Sequence, residues 1–443
     1  MSRLGALRAA ALALPVLLGG ACARGPSRPD VVLVTVDTLR PDHLGAYGYA
    51  APTSPRIDAL AARATLFENA ISQAPHTVPS VLQIMTSRFS MGLVIPPEVP
   101  TLAELLKAQG YQTVAVVDNP HFEQQREAGG LRRGFDRFWR NGVIARHSLV
   151  KQMYKTDTAA DAVTAQARRA VLARRPGQPL FLWVHYIDPH DPYLPPFDAD
   201  MDRLSQWSRS AYTGDVRDTP LYKQPPDAPV PLGDEDRQHL VDLYDAEIRY
   251  ADRSVGDLFD LLEQQGLFDR ALVVVASDHG ESLGDHGLWT HGQSCHDPEI
   301  RIPLIVKQPR QRQGQRRREA VQAVDIVPTV LDVLGLDGSK LRLDGASLLR
   351  PHGQPAFTFW RSWQVVRTPE WKLVQREGVV RLYRIDRDPG EAEDLAGQHP
   401  DVVRGLLQAR DEKLRRLGAT PEELAAQSGR NVETLRALGY LGN

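Results

Sequence analysis

Cysteine is nearly missing from this chain. Only two of 443 residues, Cys22 and Cys295, carry a thiol, which excludes a disulfide-stapled scaffold and a cysteine-based zinc module. An excess of either charge is missing too. Lys plus Arg total 53 against 55 Asp plus Glu, a formal net charge of −2, and a general nucleic-acid binder would show a basic surplus. Aromatic residues make up only 7%. No stretch reaches the roughly 20 apolar residues that a spanning helix needs. What is present is a 42% hydrophobic fraction, enough for a sizeable core and too much for global disorder. The length suits one large α/β domain or two smaller ones.

Residues 1–23, "MSRLGALRAAALALPVLLGGACA", combine Arg3 and Arg8 with a short apolar run broken by Pro15. That pattern is an export segment rather than a membrane anchor. Two processing readings stand side by side. Small residues at 21–23 suit cleavage after Ala23, whereas "LGGAC" is an imperfect lipobox with Cys22 as the lipidated residue, because Gly19 stands where Leu is usual. The product is expected to be periplasmic, secreted or lipid-anchored at the cell envelope.

Apolar segments alternate with helical ones along the rest of the chain, the pattern of a large, mainly parallel sheet sandwiched by helices. Strands are expected at 31–36, 113–117, 180–186, 271–277 and 302–306. Helices are expected at 101–109, opened by a Thr101/Glu104 capping box, and at 158–174, 235–265 and 325–334. The Pro-rich segment 198–231 is expected to be an excursion over the sheet edge. The basic run 310–318 is expected to be a solvated hairpin loop. After about residue 351 short alternating pieces (356–360, 372–375) and a helix at 401–417 suggest a smaller α+β subdomain. The division is then 1–23 export segment, 30–350 main α/β domain and 351–443 C-terminal subdomain.

In open α/β sheets ligands bind beyond the carboxyl ends of the strands, so strand ends are where chemistry is sought. The first strand ends at Asp37; 271–277 ends at Asp278 and His279; 180–186 runs into "HYIDPHDPY" with Asp188, His190 and Asp191. Oxygen and imidazole donors at three strand ends suit a divalent metal. In "QAPHTVPSVLQIM", Thr77 opens an apolar helical run whose free N–H groups form an oxyanion cradle; taken alone Thr77 reads as a plain N-cap, and the functional reading gains weight only from the metal-ligand sets. Gly280-Glu281-Ser282-Leu283-Gly284 matches the G-x-S-x-G of serine esterases, but "GDHGLWTHG" follows it with no helical period, so the nucleophile elbow is not supported.

These residues resemble the sulfatase family of the alkaline-phosphatase superfamily. "LYDAEIRYADRSVGDLFDLLEQQGLFDRALVVVASDHGE", "RIPLIV", "VDIVPTVLDVLGL" and "RLYRIDRDPGEAEDLA" carry the resemblance in the family's order. It implies an alkaline-phosphatase-like fold and one divalent ion (Ca, Mg, Mn or Zn) on Asp37, Asp278 and His279. It places Thr77 where sulfatases hold the Cys or Ser that matures to formylglycine; the segment reads Thr77-Val78-Pro79-Ser80-Val81, without the motif's Arg. Formylglycine chemistry is therefore excluded here. Thr-bearing relatives act on phosphorus esters, and Thr38 in place of a second Asp, and Asp278-His279 in place of Asp-Asn, also lean that way. The resemblance further implies that His190 and His291 contact the ester or leaving oxygen, with His291 standing where sulfatases carry a lysine, and that Asn119 contacts the anion.

The expected activity is hydrolysis of anionic phosphate or sulfate esters, leaning to phosphoesters and phosphodiesters, through a covalent Thr77 intermediate. Sulfuric-ester hydrolysis without formylglycine, phospho-group transfer, and an inactive binding protein are the rival readings. A second metal site from His185, Asp188 and Asp191 lacks the two-metal spacing. Cys295, in "HGQSCHD", is expected to lie beside the site as the sole mature thiol, open to oxidation.

Overall fold

In the computed structural model, Val31–Val36 forms β1, a strand buried along its whole length. The structure describes residues 28–89, 92–119, 122, 129–140, 159–196, 232–351 and 353–437. The export segment with Cys22 and the 198–231 excursion lie outside the described residues.

β1 sits near the middle of an eight-stranded sheet. In chain order the other strands of the sheet are β2 (Thr65–Ile71), β3 (Gln112–Val117), β4 (Arg137–Arg140), β5 (Leu180–Tyr186), β6 (Leu272–Ser277), β9 (Arg301–Lys307) and β10 (Gln315–Gln322). The spatial order is β10-β2-β9-β6-β1-β5-β3-β4. β1 pairs in parallel with β5 and β6, and β3 continues the parallel block to the β4 edge. Only β9 runs against the others, antiparallel to both β6 and β2.

Both faces of the sheet are covered, as a near-continuous apolar strand requires. Val32, Val34 and Val36 join one core with α1 (Pro55–Ala61), α4 (Ala159–Leu172) and α5 (Asp234–Gln264). Val31 and Leu33 face the other core, built on α2 (Thr77–Thr86), α3 (Leu102–Ala108) and α7 (Ile326–Val333). Each fully buried Val or Leu contributes about 1.5–3 kcal/mol, so the two layers fix the direction of β1 and hence where its tip, Asp37, points. The α3 capping box forms as the sequence indicates: Thr101 Oγ1 accepts from the Glu104 N–H, and Glu104 Oε2 accepts from the Thr101 N–H.

The basic run is a loop only in part: residues 310–314 turn between β9 and β10, and the rest enters a strand. Residues 315–322 form the edge strand β10, which pairs with β2 and carries Arg316–Arg318 on its outer part. An edge strand tolerates charge because one side meets water, and charge there also discourages edge-to-edge association.

A second, antiparallel meander follows: β11 (Ala356–Trp360), β12 (Trp363–Arg367), β13 (Trp371–Arg376) and β14 (Val379–Arg384). Helices α8 (Pro400–Leu417) and α9 (Pro421–Ala437) come after it. A buried ionic group ties this meander to the main sheet. Lys372 Nζ donates to Asp297 Oδ1 (2.8 Å) and Glu391 Oε1 (2.7 Å), while Arg367 reaches Asp297 and Asn69. Asp297 opens the short helix α6 (Asp297–Ile300). Lys372→Ala would remove the cation shared by two buried carboxylates, leaving Asp297 to Arg367 and Glu391 to His296, and is expected to cost about 3–5 kcal/mol in urea unfolding. A loss below about 1 kcal/mol would contradict that role. Among the described residues no helix is long and apolar enough to cross a membrane.

Candidate active site

The carboxyl ends of β1 and β6 deliver Asp37, Asp278 and His279 to one fully buried point. One donor atom from each lies within 4.8 Å of the others. His279 Nε2 is 3.6 Å from both Asp37 Oδ1 and Asp278 Oδ2. The tautomer of this ring is set by its neighbour: Nδ1 donates to the Gly280 carbonyl at 2.8 Å, so Nε2 presents its lone pair to the carboxylates. Gly280 allows this because a Cβ at that position would collide with the Pro298 carbonyl oxygen.

Asp37 Oδ1 and Asp278 Oδ2 are buried and have no hydrogen-bond partner among the described residues. Burial raises the Asp37 carboxyl, but the His185 ring beside it and the other histidines outweigh that and hold it below the usual carboxylate range. Burial, and then the negative charge of Asp37, push Asp278 up to about 8. Burial also pushes the His279 imidazole down. Two buried carboxylates this close are jointly ionised only when a cation is shared between them, and two orphaned oxygens beside an imidazole lone pair fit a divalent ion.

Thr77 approaches the same point. It is the first residue of α2, and the N-cap is His76, so the capping explanation for Thr77 does not hold. Its Oγ1 donates to His279 Nε2 at 3.2 Å, with the positive end of the helix behind it. Ser80, one turn on, donates to the Asp278 carbonyl and so locks α2 to the end of β6.

The remaining expected residues surround this point. Asn119, after β3, donates from Nδ2 to Asp37 Oδ2 at 2.6 Å, an orientation that steadies Asp37. The His291 ring lies 4.5 Å from His279, tilted by 39°, and His190 lies 4.9 Å from His291 edge-on. Thus Thr77, His190, His291, Asn119, Asp37, Asp278 and His279 all converge. His190, Asp191 and His291 form a further trio with donor atoms within 4.8 Å, adjoining the first. Asp188 does not join either set; its Oδ2 accepts the Ala160 N–H at the start of α4.

Two residues were not read from the sequence as parts of the site. His76 lies within 6.5 Å of His279 and stacks on Trp360 of β11. Its adjacency to Thr77 was the available signal. Glu281 sits 3.1 Å from His291 Nδ1 and so points the other ring nitrogen away from itself. Thr38 holds a left-handed backbone (φ +55°), and its buried Oγ1 has no hydrogen-bond partner among the described residues; a β-branched residue there is strained, as at many functional sites. Ser282 of G-x-S-x-G lies in the two-residue strand β7 (Ser282–Leu283) and donates to Glu299, which is no nucleophile elbow.

Cys295 is fully buried in a separate apolar cluster with Ile71, Ile300 and Trp360, and burial pushes its thiol pKa well up. It is not the accessible oxidation point that its sequence neighbourhood suggested.

The sulfatase family model matches residues 29–336, and the chain belongs to that family. An ulvan-active sulfatase of Formosa agariphila is 25% identical over 340 residues, covering 71% of this chain and 63% of that protein. A Δ4,5-hexuronate-2-O-sulfatase of Bacteroides thetaiotaomicron is 22% identical over 426 residues, covering 86% of this chain and 87% of that one. In three dimensions the crystal structure of a phosphonate monoester hydrolase of Agrobacterium radiobacter matches with a TM-score of 0.71 at 21% identity, over 87% of this chain and 96% of that one.

Proposed function

We propose that the protein is a metal-dependent hydrolase of anionic esters, preferring phosphorus to sulfur, with Thr77 as the nucleophile. The observation that carries this is the meeting of Thr77 Oγ1 with His279 Nε2 at 3.2 Å, beside two partnerless carboxylate oxygens at the N-terminus of α2. Asp37, Asp278 and His279 would hold the divalent ion; their mixed oxygen and imidazole set is compatible with Ca, Mg, Mn or Zn. A bound ion supplies charge that lowers the pKa of a nearby hydroxyl and screens an anionic substrate.

The residues then divide the work. Asn119 keeps Asp37 in place. Thr77 Oγ attacks the phosphorus or sulfur centre in line, forming one ester bond while the bond to the leaving oxygen breaks. His291, oriented by Glu281, and His190 carry the hydroxyl proton of Thr77 to that leaving oxygen. Water then attacks the Thr77 ester, releasing the oxyanion and restoring the hydroxyl. A threonine ester has no second hydroxyl through which sulfate could be eliminated, so this last step must occur at the phosphorus or sulfur atom, which favours phosphorus. Similarity to a phosphonate monoester hydrolase supports the leaning, and the sulfatase relatives keep sulfate esters as the alternative.

His291→Ala is expected to slow turnover by roughly 10²–10³-fold, most for esters with poor leaving groups. An equal loss on good and poor leaving groups would contradict its proton-carrying role. A panel of aryl sulfate, phosphomonoester, phosphodiester and phosphonate substrates tests the element; a preference for sulfate would overturn the leaning to phosphorus. In this reading 30–350 is the catalytic unit and 351–443 its C-terminal companion. Residues 1–23 direct export, with lipidation at Cys22 or cleavage after Ala23 as the two outcomes for the N-terminus.

A further inference from the structure

His279, His291 and His190 stand beyond strand ends, after β6, β8 (Trp289–Thr290) and β5 respectively. His185 is different: it lies inside β5 and is fully buried. Thr35 of β1 is its direct partner in the parallel ladder and is fully buried as well. Polar groups taken out of water in the middle of a sheet cost stability unless each finds a partner, so their bonds can be followed one by one.

The bonds run in one direction. Trp183 Nε1, which can only donate, gives its hydrogen to Thr35 Oγ1 at 2.9 Å. Thr35 Oγ1 in turn lies 2.8 Å from His185 Nδ1. Among the described residues the hydroxyl bonds to these two groups alone. Its single hydrogen therefore goes to Nδ1, since the other choice leaves a buried donor unpaired. With Nδ1 accepting, a neutral His185 ring carries its hydrogen on Nε2. The far side of the ring requires the same: Nε2 is 3.4 Å from Asp37 Oδ2, where a bare nitrogen would set one lone pair against another. At that separation the N–H acts on the carboxylate chiefly through its dipole, an effect that dry surroundings strengthen. Phe122 packs edge-on against the ring, centroids 5.5 Å apart.

Asp37 follows Thr35 by two residues and so shares its face of the sheet, and its N–H extends the ladder onto the Tyr186 carbonyl at 2.9 Å. Its Oδ2 accepts from Asn119 Nδ2 at 2.6 Å and faces His185 Nε2 as well. Its Oδ1 has no hydrogen-bond partner among the described residues and lies 3.6 Å from His279 Nε2. We propose that Trp183, Thr35 and His185 are positioning residues for this carboxylate. Their relay sets the His185 tautomer, turns an N–H to Asp37 Oδ2 and, together with Asn119, leaves Oδ1 for the ion. Partners that fix a ligating carboxylate in this way tune how tightly the metal is held. The proposal rests on the reading that Asp37, Asp278 and His279 hold a divalent ion, and it does not depend on Thr77 as the nucleophile.

Two measurements test it. Nitrogen NMR of metal-free protein with isotope-labelled histidine reads the tautomer, the His185 signals being assigned by their loss in His185→Gln. The expected result is a neutral ring with hydrogen on Nε2 and a bare Nδ1; hydrogen on Nδ1 alone, or on both nitrogens, would overturn the relay. Calorimetric titration then uses whichever of calcium, magnesium, manganese and zinc the wild type binds most tightly. Thr35→Val and His185→Leu are expected to weaken binding by about 10–100-fold. Thr35→Ser, which keeps the hydroxyl, and His185→Gln, whose amide N–H reaches toward the Nε2 position, should retain most of the wild-type affinity. Unchanged affinity in Thr35→Val would overturn the proposal, as would a loss in His185→Gln equal to that in His185→Leu. Equal affinity in wild type and Asp278→Asn would overturn the metal reading instead, a failure that the tautomer, read without metal, does not share.

Discussion

Thr77→Ala is expected to lose activity toward every ester the wild type turns over, by on the order of 10⁴-fold, while remaining folded. The loss should appear in kcat, because the hydroxyl is the bond-forming group and not a general binding contact. Stability should change little. Thr77 occupies the first helical position, and among the described residues its side chain caps no backbone group of α2 and its Oγ1 bonds only to His279. Thr77→Ser should recover a substantial part of the rate, since it keeps the oxygen and removes only a methyl. Metal content should be unchanged in both, because Asp37, Asp278 and His279 remain in place. This combination separates a lost nucleophile from a collapsed site.

The second large effect belongs to Asp278. Asp278→Asn is expected to abolish activity and weaken divalent-ion binding by more than about 100-fold, as read by calorimetric titration. Its effect on the metal-stripped protein should be of opposite sign. There Asp278 and Asp37 lie buried side by side, and Asp278 is raised from 3.8 to about 8, first by burial and then by the Asp37 charge. A carboxyl that binds its proton more tightly folded than unfolded favours the native state below about pH 4 and loses that contribution as pH climbs towards 8. The metal-stripped wild type should therefore melt at progressively lower temperature between about pH 4 and pH 8. Asp278→Asn should flatten that slope and raise the melting temperature at pH 8. Divalent ion should restore the wild type there and leave the variant unmoved. A wild-type melting temperature that rises over this range after metal removal would contradict the paired-carboxylate account.

Much of this site was legible because the central strands are apolar along their whole length. A run such as Val31–Val36 that stops at an acid, or Leu272–Ser277 that stops at Asp278 and His279, shows where burial ends and chemistry begins. Asp37, Thr77, Asn119, His190, Asp278, His279 and His291 were all marked by such positions or by the family resemblance. The strands at the β10 side of the sheet were less legible for a physical reason. β2, though buried, carries Glu68 and Asn69 in its middle, the edge strand β10 is polar over its first half, and both contain a register shift that breaks alternation. A strand with a bulge and polar residues gives no clean period of two. His76 and Glu281 escaped because they act through other side chains: one lies against Trp360, far along the chain, and the other looked like part of an esterase motif.

The covalent bond to Thr77 can be caught by acid-quenching turnover and weighing the resulting peptides. A phosphoryl or sulfuryl group is expected on the peptide that contains Thr77, localised to that residue and missing from Thr77→Ala. A modification on another residue, or full steady-state turnover by Thr77→Ala, would rule the covalent step out.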